Sequence, residues 1–321
     1  MSKVSILVSI YKNENNIFPF YEDFNKNIVP AFIEQGDDYE LIMINDDSPD
    51  NSWQIMKRIA ANDAHIKLIR LSRNFGAIAA TFTGLQYATG DCITVKACDL
   101  QEPASLTVDM YREWKKGEKV LFAVREARSD SFIGDCMSNL YYFIMRKMVD
   151  RSMPKGGFDI YMIDKAVKEQ IVKMNDKNSP ISLQLMWLGF HPKKLYYTRL
   201  ERKIGKSSWT FSKKMKLFID SLIAFSYVPI RLMTILGGLF LLFAVAFGIK
   251  IIVARLNGLI EVQGYTTLLV VILFSAGMIM FTLGILGEYI WRTLEASRNR
   301  PISVVQDMVN FEESVSGGGT E

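Results

Sequence analysis

Short apolar runs alternate with longer amphipathic stretches through the first two thirds of the chain. The apolar runs have the length and composition of buried strands, and they lie at residues 4–10, 40–45, 66–71, 92–97 and 119–124. Stretches with the spacing of one-sided apolar helices lie between them, at residues 15–34, 52–61, 76–88 and 104–116. This alternation predicts an α/β domain over residues 1–205, with a mostly parallel sheet covered by helices.

Two runs nearer the C-terminus differ because they are apolar on every face. They cover residues 232–249 and 265–287 and contain no charged residue. A bilayer core needs roughly 20 apolar residues in a helix. We therefore predict a transmembrane hairpin over residues 231–291, with helices at about 232–253 and 265–288. A pair of buried core helices is the alternative interpretation.

Charged residues around these helices predict their orientation. Basic residues precede the first helix and follow the second, and they include Lys213, Lys214, Lys216, Arg231, Arg292, Arg298 and Arg300. The segment between the helices offers Lys250 and Arg255, partly balanced by Glu261. Because basic loops stay inside, we predict a multi-pass inner-membrane protein whose α/β domain and both termini are cytoplasmic.

The segment just before the first predicted transmembrane helix, residues 206–230, is amphipathic. Its apolar residues recur at helical spacing on one face, and Lys213 and Lys214 lie off that face. A basic amphipathic helix beside a membrane span is typical of an interfacial helix that contacts anionic headgroups. A core-facing helix is the alternative. Residues 292–321 are expected to form a cytoplasmic tail, disordered after Asn310.

Composition narrows the possible functions only slightly. The 321 residues are 49% hydrophobic and carry a formal net charge of +4, so no nucleic-acid partner is predicted. The 3 cysteines have no metal-ligand spacing and fit a reducing compartment. The N-terminal segment lacks the basic start and cleavage site of a signal peptide.

Polar and charged residues follow most of the predicted strands. They lie at residues 11–14, 46–50, 99–102 and 125–128. In open parallel sheets, ligands bind at the carboxyl ends of the strands. Acids and arginines at one edge suit a ligand with phosphates and hydroxyls, together with a divalent cation. Neither a GxGxxG after the first strand nor a GxxxxGK[ST] occurs, which disfavours a dinucleotide dehydrogenase or a P-loop NTPase.

Several segments match one known family in the same order. They are VSILVSIYKNE, NDDSPDNS, LSRNFG, TGLQYATGD, CDLQEP, VREARSD, GGFDIYMID, RLERKIGKSS and LGEYIWR. With the paired apolar runs, the chain resembles the family 2 glycosyltransferases of GT-A fold. It is most similar in plan to the bacterial polyprenyl-phosphate glycosyltransferases and to dolichyl-phosphate mannose synthase. The resemblance covers roughly residues 3 to 305.

The resemblance implies a reaction, a cofactor and partners. It implies inverting transfer of a sugar from a nucleotide-diphosphate sugar, with UDP expected, to polyprenyl (undecaprenyl) phosphate in the bilayer. The product would be a lipid-phosphate-linked monosaccharide for modification of cell-envelope glycans. Mg²⁺ or Mn²⁺ is the implied cofactor, and a homo-tetramer is the implied assembly. A processive polysaccharide synthase is the alternative enzyme, although the chain lacks Q-x-x-R-W. A catalytically silent, nucleotide-binding membrane scaffold is the alternative from another class.

The resemblance also implies roles for single residues. Those for nucleotide binding are Tyr11, Glu14, Asp46 and Arg73. Those for the metal are Asp99 and Gln101. Those for phosphate or acceptor binding are Arg125, Arg128, Arg202, Lys206 and Ser207. Those for catalysis are Asp159, Asp99 and Arg202.

The metal motif departs from the family pattern, which usually reads D-x-D-x-Q. Ala97 stands where the first acid would be. Mg²⁺ commonly takes one or two carboxylates together with phosphates and water, so Asp99 with Gln101 can suffice. The expected consequence of Ala97 is weaker metal affinity. Loss of chemistry would support the scaffold interpretation instead.

The implied acceptor needs little help from a base. A phosphate monoester has a second pKa near 6, so it is already anionic at neutral pH. It needs cations that bring one anion towards another. Basic residues concentrate in residues 199–216, directly before the predicted membrane helices.

Overall fold

The computed structural model describes residues 1–125, 143, 146–147, 153–154, 157–176, 179–200, 221, 228–257 and 264–311. The chain divides into two compact units. The first contains Met1–Ser221 and Pro301–Glu321, and the second contains Leu222–Arg300.

An eight-stranded sheet forms the centre of the first unit in the described part of the chain. The strands are β1 (Lys3–Ile10), β2 (Asp38–Asn45), β3 (Ile66–Leu71), β4 (Cys92–Val95), β5 (Val120–Arg125), β6 (Ile160–Asp164), β7 (Lys193–Tyr197) and β8 (Val305–Val309). Their order across the sheet is β7-β5-β6-β4-β1-β2-β3-β8. Neighbours among β1 to β4 pair in parallel, as do β5 and β7. Strand β6 is antiparallel to β4 and β5, and β8 is antiparallel to β3.

The first five helices of the first unit follow the predicted alternation, whereas the last two had not been predicted. They are α1 (Glu14–Asn27), α2 (Val29–Ile33), α3 (Ser52–Ala60), α4 (Ala77–Tyr87), α5 (Ala104–Lys115), α6 (Lys165–Met174) and α7 (Ile181–Trp187). The helical stretch predicted over residues 15–34 forms two helices, divided at Ile28. Pro30 has no amide hydrogen with which to continue the hydrogen-bond ladder of α1.

The core of this unit packs helix faces against strands that are buried on both sides. Strand β1 is fully buried at Ile6 and Leu7, whose side chains point to opposite faces of the sheet. Helix α1 buries Ile17, Phe20 and Phe24, which recur at helical spacing on one face. Burying each of these side chains stabilises the fold by about 1.5–3 kcal/mol. The sheet is therefore a rigid base for the loops at its edge.

Strand β8 extends the sheet into a segment that was expected to be a tail. Val305–Val309 pairs with β3, with Leu68 opposite Val309 and Leu71 opposite Val305. Its sequence, VQDMV, contains no continuous apolar run because the strand lies at the sheet edge with two exposed residues in its middle. The part of the expected disordered tail from residue 312 onwards lies outside the described residues.

The second unit consists of α8 (Val228–Leu256) and α9 (Tyr265–Ser297). Both helices are longer than predicted. Two spans within them, Ile230–Lys250 and Phe274–Ser297, are long and apolar enough to cross a membrane, by length and composition. The rings of Phe240 and Phe274 pack with their centroids 5.4 Å apart, which joins the two helices. Most of the predicted amphipathic segment 206–230 lies outside the described residues.

Candidate active site

Three turns at one edge of the sheet share an uncommon backbone conformation. Lys12, Asp47 and Leu100 follow β1, β2 and β4, and they have φ angles of 56°, 50° and 57°. Residues other than glycine rarely adopt positive φ, and such strain persists only where the surrounding structure enforces it. Because these strands run in parallel, the three turns lie at the same edge.

The turns after β1 and β2 are joined by hydrogen bonds. The amide of Lys12 donates to Oγ of Ser48 (2.6 Å) and the amide of Glu14 donates to Oδ2 of Asp50 (3.3 Å). In return, Oε2 of Glu14 accepts from the amide of Asn51 (3.0 Å). Tyr11 is left 39% exposed beside them. Glu14 therefore helps to fix the turn that carries the exposed Tyr11.

Asp46 holds the loop that follows β3. It is 2% exposed, and its Oδ1 and Oδ2 accept from the amides of Phe75 (2.7 Å) and Gly76 (2.8 Å). Gly76 has a φ of 94°, which favours glycine, and it directly precedes α4. Burial raises the pKa of Asp46, and the two amide bonds offset part of that increase.

Arg73 lies exposed on the loop that Asp46 holds. Its guanidinium stacks on the ring of Phe75, 4.2 Å from the centroid. Arg73 therefore lies on the loop after β3, and Asp46, which follows β2, fixes that loop through the amides of Phe75 and Gly76.

The turn after β4 comprises residues 99–102, and we call it the Asp99 turn. Hydrogen bonds of a buried lysine and a buried glutamate join this turn to the end of β4. Lys96 is 2% exposed, and its Nζ donates to the backbone oxygen of Glu102 (3.1 Å). Oε2 of Glu102 accepts from the amide of Ala97 (3.1 Å). Burial lowers the pKa of Lys96 and raises the pKa of Glu102.

Asp99 and Gln101 differ in how they sit on this turn. Asp99 is half-buried, and its Oδ1 accepts from the amide of Gln101 (3.3 Å). Gln101 is 7% exposed, and its Oε1 accepts from Nη2 of Arg199. The Nε2 of Gln101 donates to the backbone oxygen of Leu200 (3.3 Å), and the amide of Leu200 donates to the backbone oxygen of Gln101 (2.9 Å).

Arg125 and Asp159 meet at the same edge. Nη2 of Arg125 lies 2.7 Å from Oδ2 of Asp159, and its Nε donates to the hydroxyl of Tyr197 (3.2 Å). The side chain of Asp159 is 66% exposed. Asp159 precedes β6, which is antiparallel to β5, so the start of β6 and the end of β5 lie together. Of the remaining predicted residues, Arg128, Arg202, Lys206 and Ser207 lie outside the described residues.

The fit of the described residues to a divalent cation depends on Asp99. No group of three or more His, Cys, Asp or Glu able to hold a metal is found among them. Mg²⁺ usually binds through one or two carboxylates together with substrate phosphates. Asp99, half-buried at the ligand-binding edge, fits such a site, in which the ligand supplies most of the oxygens.

Several residues of this edge had not been predicted. They are Lys96, Glu102, Tyr197, Arg199 and Leu200. A lysine at the end of an otherwise apolar strand was the available signal for Lys96. No local pattern marks Arg199 as a partner of Gln101, because their contact joins distant parts of the sequence.

The family model for glycosyl transferase family 2 matches residues 5–173 of this chain. The chain belongs to glycosyltransferase family 2. The glycosyltransferase CsbB of Bacillus subtilis (strain 168) is 31% identical, with 95% of this chain and 91% of that protein covered. A prophage bactoprenol glucosyl transferase homolog of Escherichia coli (strain K12) is 30% identical, with 95% and 98% covered.

This family 2 glycosyltransferase is also similar to the bactoprenol glucosyl transferase of Shigella phage SfV, at 29% identity over 95% of this chain and 98% of that protein. A solved mannosyltransferase from Pyrobaculum calidifontis, in complex with GDP-Man and Mn²⁺, has a TM-score of 0.44 at 13% identity, covering 63% of this chain and 57% of that one.

The family match and the sheet topology test two of the predictions made from the sequence. The predicted class of enzyme, a glycosyltransferase, is confirmed. The predicted fold class, a GT-A Rossmann-like α/β domain followed by two apolar helices, is confirmed. The roles of individual residues stay predictions.

Proposed function

We propose that this glycosyltransferase moves a sugar from a UDP-sugar to polyprenyl (undecaprenyl) phosphate, with inversion, and so forms a lipid-phosphate-linked monosaccharide. The observation that carries the proposal is likeness over the full length. The relatives named for bactoprenol glucosyl transfer match 95% of this chain, so the likeness includes α8 and α9 as well as the sheet. An apolar acceptor lipid is consistent with a chain that carries both.

In this proposal the nucleoside lies along the ends of β1, β2 and β3. Tyr11 and Arg73 are exposed there and are the side chains expected to contact it. Asp46 and Glu14 are bonded to neighbouring backbone amides, so they fix the two loops between which the nucleoside binds. Any contact of Asp46 with the base would come from lone pairs that those amides do not use.

The diphosphate lies at the Asp99 turn. A bound Mg²⁺ or Mn²⁺ would neutralise the negative charge that grows on the leaving diphosphate. Asp99 would hold that ion. Arg125, which is paired with Asp159, places a positive charge at the same edge, and the exposed Asp159 orients the sugar or acceptor. The proposal also includes phosphate or acceptor contacts that the resemblance implies for Arg128, Arg202, Lys206 and Ser207.

The membrane topology in this proposal is a hairpin with both ends on the cytoplasmic side. Strand β8 follows α9 in the chain and pairs with β3, which precedes α8. Both ends of the helix pair therefore lead into the first unit. This connectivity agrees with the orientation predicted from flanking basic residues.

The experiment is a screen of labelled nucleotide sugars. Membranes containing the full chain are incubated with undecaprenyl phosphate and each radiolabelled donor in turn, and the lipid product is identified by mass spectrometry. We expect one donor to label a lipid that carries a single sugar on its phosphate. The Asp99→Asn variant should lose this product, whereas Asp109→Asn, which changes an exposed acid on α5, should retain it.

Other outcomes would favour the rival functions. A labelled polymer would identify a processive synthase. Binding of UDP without transfer from any donor would identify a silent scaffold, and the proposal would then be abandoned.

A further inference from the structure

Gln101 makes its side-chain contacts with a segment distant in sequence. Its Oε1 accepts from Arg199, and its Nε2 donates to the backbone oxygen of Leu200 (3.3 Å). The backbone of Gln101 adds a further bond, because its oxygen accepts from the amide of Leu200 (2.9 Å). The side chain of Gln101 thus binds Arg199 and Leu200, and its backbone binds Leu200 as well.

Arg199 is placed to oppose a cation at this amide. Its guanidinium is bonded to Oε1, the atom of Gln101 that would coordinate a metal. A divalent ion on the same oxygen would face a full positive charge a few ångströms away, a repulsion that weakens its binding.

We infer that Gln101 is a positioning residue, which joins the Asp99 turn to the start of the basic run at residues 199–216, and is not a metal ligand. The inference rests on the proposed function in one respect: the basic run is where the acceptor phosphate is expected. The joint fixes the start of that run, at Arg199 and Leu200, against the Asp99 turn. The position of the acceptor side of the site therefore depends on the position of the Asp99 turn on the donor side.

The first test measures metal binding and acceptor binding separately in the full-length protein. Mn²⁺ affinity in the presence of UDP is measured by electron paramagnetic resonance in wild type, Gln101→Ala and Arg199→Met. We expect Gln101→Ala to keep the Mn²⁺ affinity of wild type, and Arg199→Met, which removes the opposing charge, to bind Mn²⁺ at least as tightly as wild type. We expect both to raise the KM for undecaprenyl phosphate by about tenfold, the equivalent of about 1.4 kcal/mol. A loss of Mn²⁺ affinity in Gln101→Ala, absent from Arg199→Met, would make Gln101 a ligand and overturn the inference.

A second test does not depend on activity. Trypsin cleaves after the Lys and Arg residues that follow Leu200, from Arg202 onwards, and these sites are present in every variant. The rate of that cleavage reports how firmly the start of the basic run is held. Gln101→Ala and Arg199→Met should be cleaved faster there than wild type, and the double variant no faster than either single one, because both break the same contact. Gln54→Ala, an exposed glutamine on α3, is the matched control and should be cleaved at the wild-type rate.

The two tests separate this inference from the proposed function. If no donor is transferred to undecaprenyl phosphate by wild type, the proposed function fails, but Mn²⁺ binding and tryptic cleavage still decide the role of Gln101. If Gln101→Ala does not fold, Arg199→Met removes the same bond from the other side. Unchanged cleavage in a folded variant would contradict the joint.

Discussion

Ala97 and Lys96 together set the charge beneath the Asp99 turn. The family pattern would place a carboxylate at position 97, and Ala97 supplies none. The backbone amide of Ala97 donates a hydrogen bond to Oε2 of Glu102. Lys96 adds a buried positive charge at the preceding position. A divalent cation at this turn would meet one carboxylate at the edge and a lysine below. These residues predict a site whose metal affinity depends on the nucleotide.

Restoring the missing acid should strengthen that site. Ala97→Asp adds a second carboxylate, so we expect Mn²⁺ affinity in the presence of UDP to increase about tenfold, the equivalent of about 1.4 kcal/mol. Isothermal titration of Mn²⁺ measures the change. The matched control, Ala61→Asp at the exposed end of α3, should leave the affinity unchanged. Equal affinities in both variants would remove the Asp99 turn as the metal site.

Glu40 is a buried carboxylate away from the site that stabilises the sheet. Its side chain is 1% exposed and accepts from Ser5 Oγ (2.6 Å), Lys67 Nζ (2.8 Å) and the amide of Thr89 (2.7 Å). Burial alone would raise the pKa of Glu40, but the bonds from Lys67, Ser5 and Thr89 outweigh it and lower the pKa to about 2. The charged form is therefore favoured in the folded state.

This pKa predicts the direction of the pH dependence. Because the folded pKa lies below the ordinary value of 4.5, the stabilisation is complete above about pH 4.5 and is lost as the pH falls towards 2. Glu40→Gln should lower the free energy of unfolding at pH 7 by about 3 kcal/mol, because it leaves the partly buried Lys67 without its charged partner. Thermal unfolding between pH 7 and pH 3 should show a shallower acid dependence in Glu40→Gln than in wild type. Parallel pH profiles would contradict this role of Glu40.

At the scale of secondary structure, β8 and the residues beside it support the loop that carries Arg73. The amide of Ser72, where that loop begins, donates to the backbone oxygen of Val304 (2.9 Å). At the other end of β8, Nδ2 of Asn310 donates to the backbone oxygens of Ala60 and Ile66, each at 2.9 Å. The strand is thus fixed at both ends and covers the otherwise open edge of β3.

Removing β8 should therefore weaken nucleotide binding. A chain that stops after Arg300 loses the support of Ser72, and we expect its affinity for UDP to fall about tenfold, the equivalent of about 1.4 kcal/mol. A chain that stops after Phe311 keeps β8 and serves as the control. Isothermal titration with UDP compares the two. Equal affinities would show that the loop holds its shape without the strand.

Sequence patterns predicted the elements whose environment is uniform along their length. Strands β1 to β4 could be found because most of their residues are buried and apolar. Strand β8 could not, because Gln306 and Asp307 are exposed at the sheet edge and its partner is distant in sequence. The division between α1 and α2 could have been predicted from Pro30.

The residues of the candidate site also divide into those that a local sequence pattern marks and those that it does not. Asp46 and Asp99 could be found because acids that follow apolar strands meet at one edge of a parallel sheet. Asp159 came from the resemblance alone, since it precedes its strand and reaches Arg125 through the antiparallel course of β6. The contact of Gln101 with Arg199 depends on tertiary structure that no local pattern encodes.

At the scale of the whole molecule, the chain leaves its first unit, forms α8 and α9, and returns. Large apolar side chains such as Leu242, Phe243 and Phe281 are exposed on these helices, as expected for surfaces that contact lipid. In the proposed hairpin, a return to the same sheet needs an even number of membrane crossings between β3 and β8.

That requirement predicts the outcome of reporter fusions. Green fluorescent protein attached after Glu321 should fluoresce, because it would be cytoplasmic together with the sheet. Alkaline phosphatase inserted between α8 and α9 should be active, because that connection would be periplasmic. An active phosphatase at the C-terminal fusion point would contradict the hairpin.

The late position of β8 in the chain also orders events during biosynthesis. Ribosomes release the strands β1 to β7 first, and β8 becomes available only after both apolar helices have been made. The open edge of β3 and the loop at Ser72 must therefore wait for the synthesis of α8 and α9 before β8 can pair with them. A complete donor site, in the proposed function, would form only after both apolar helices have been made.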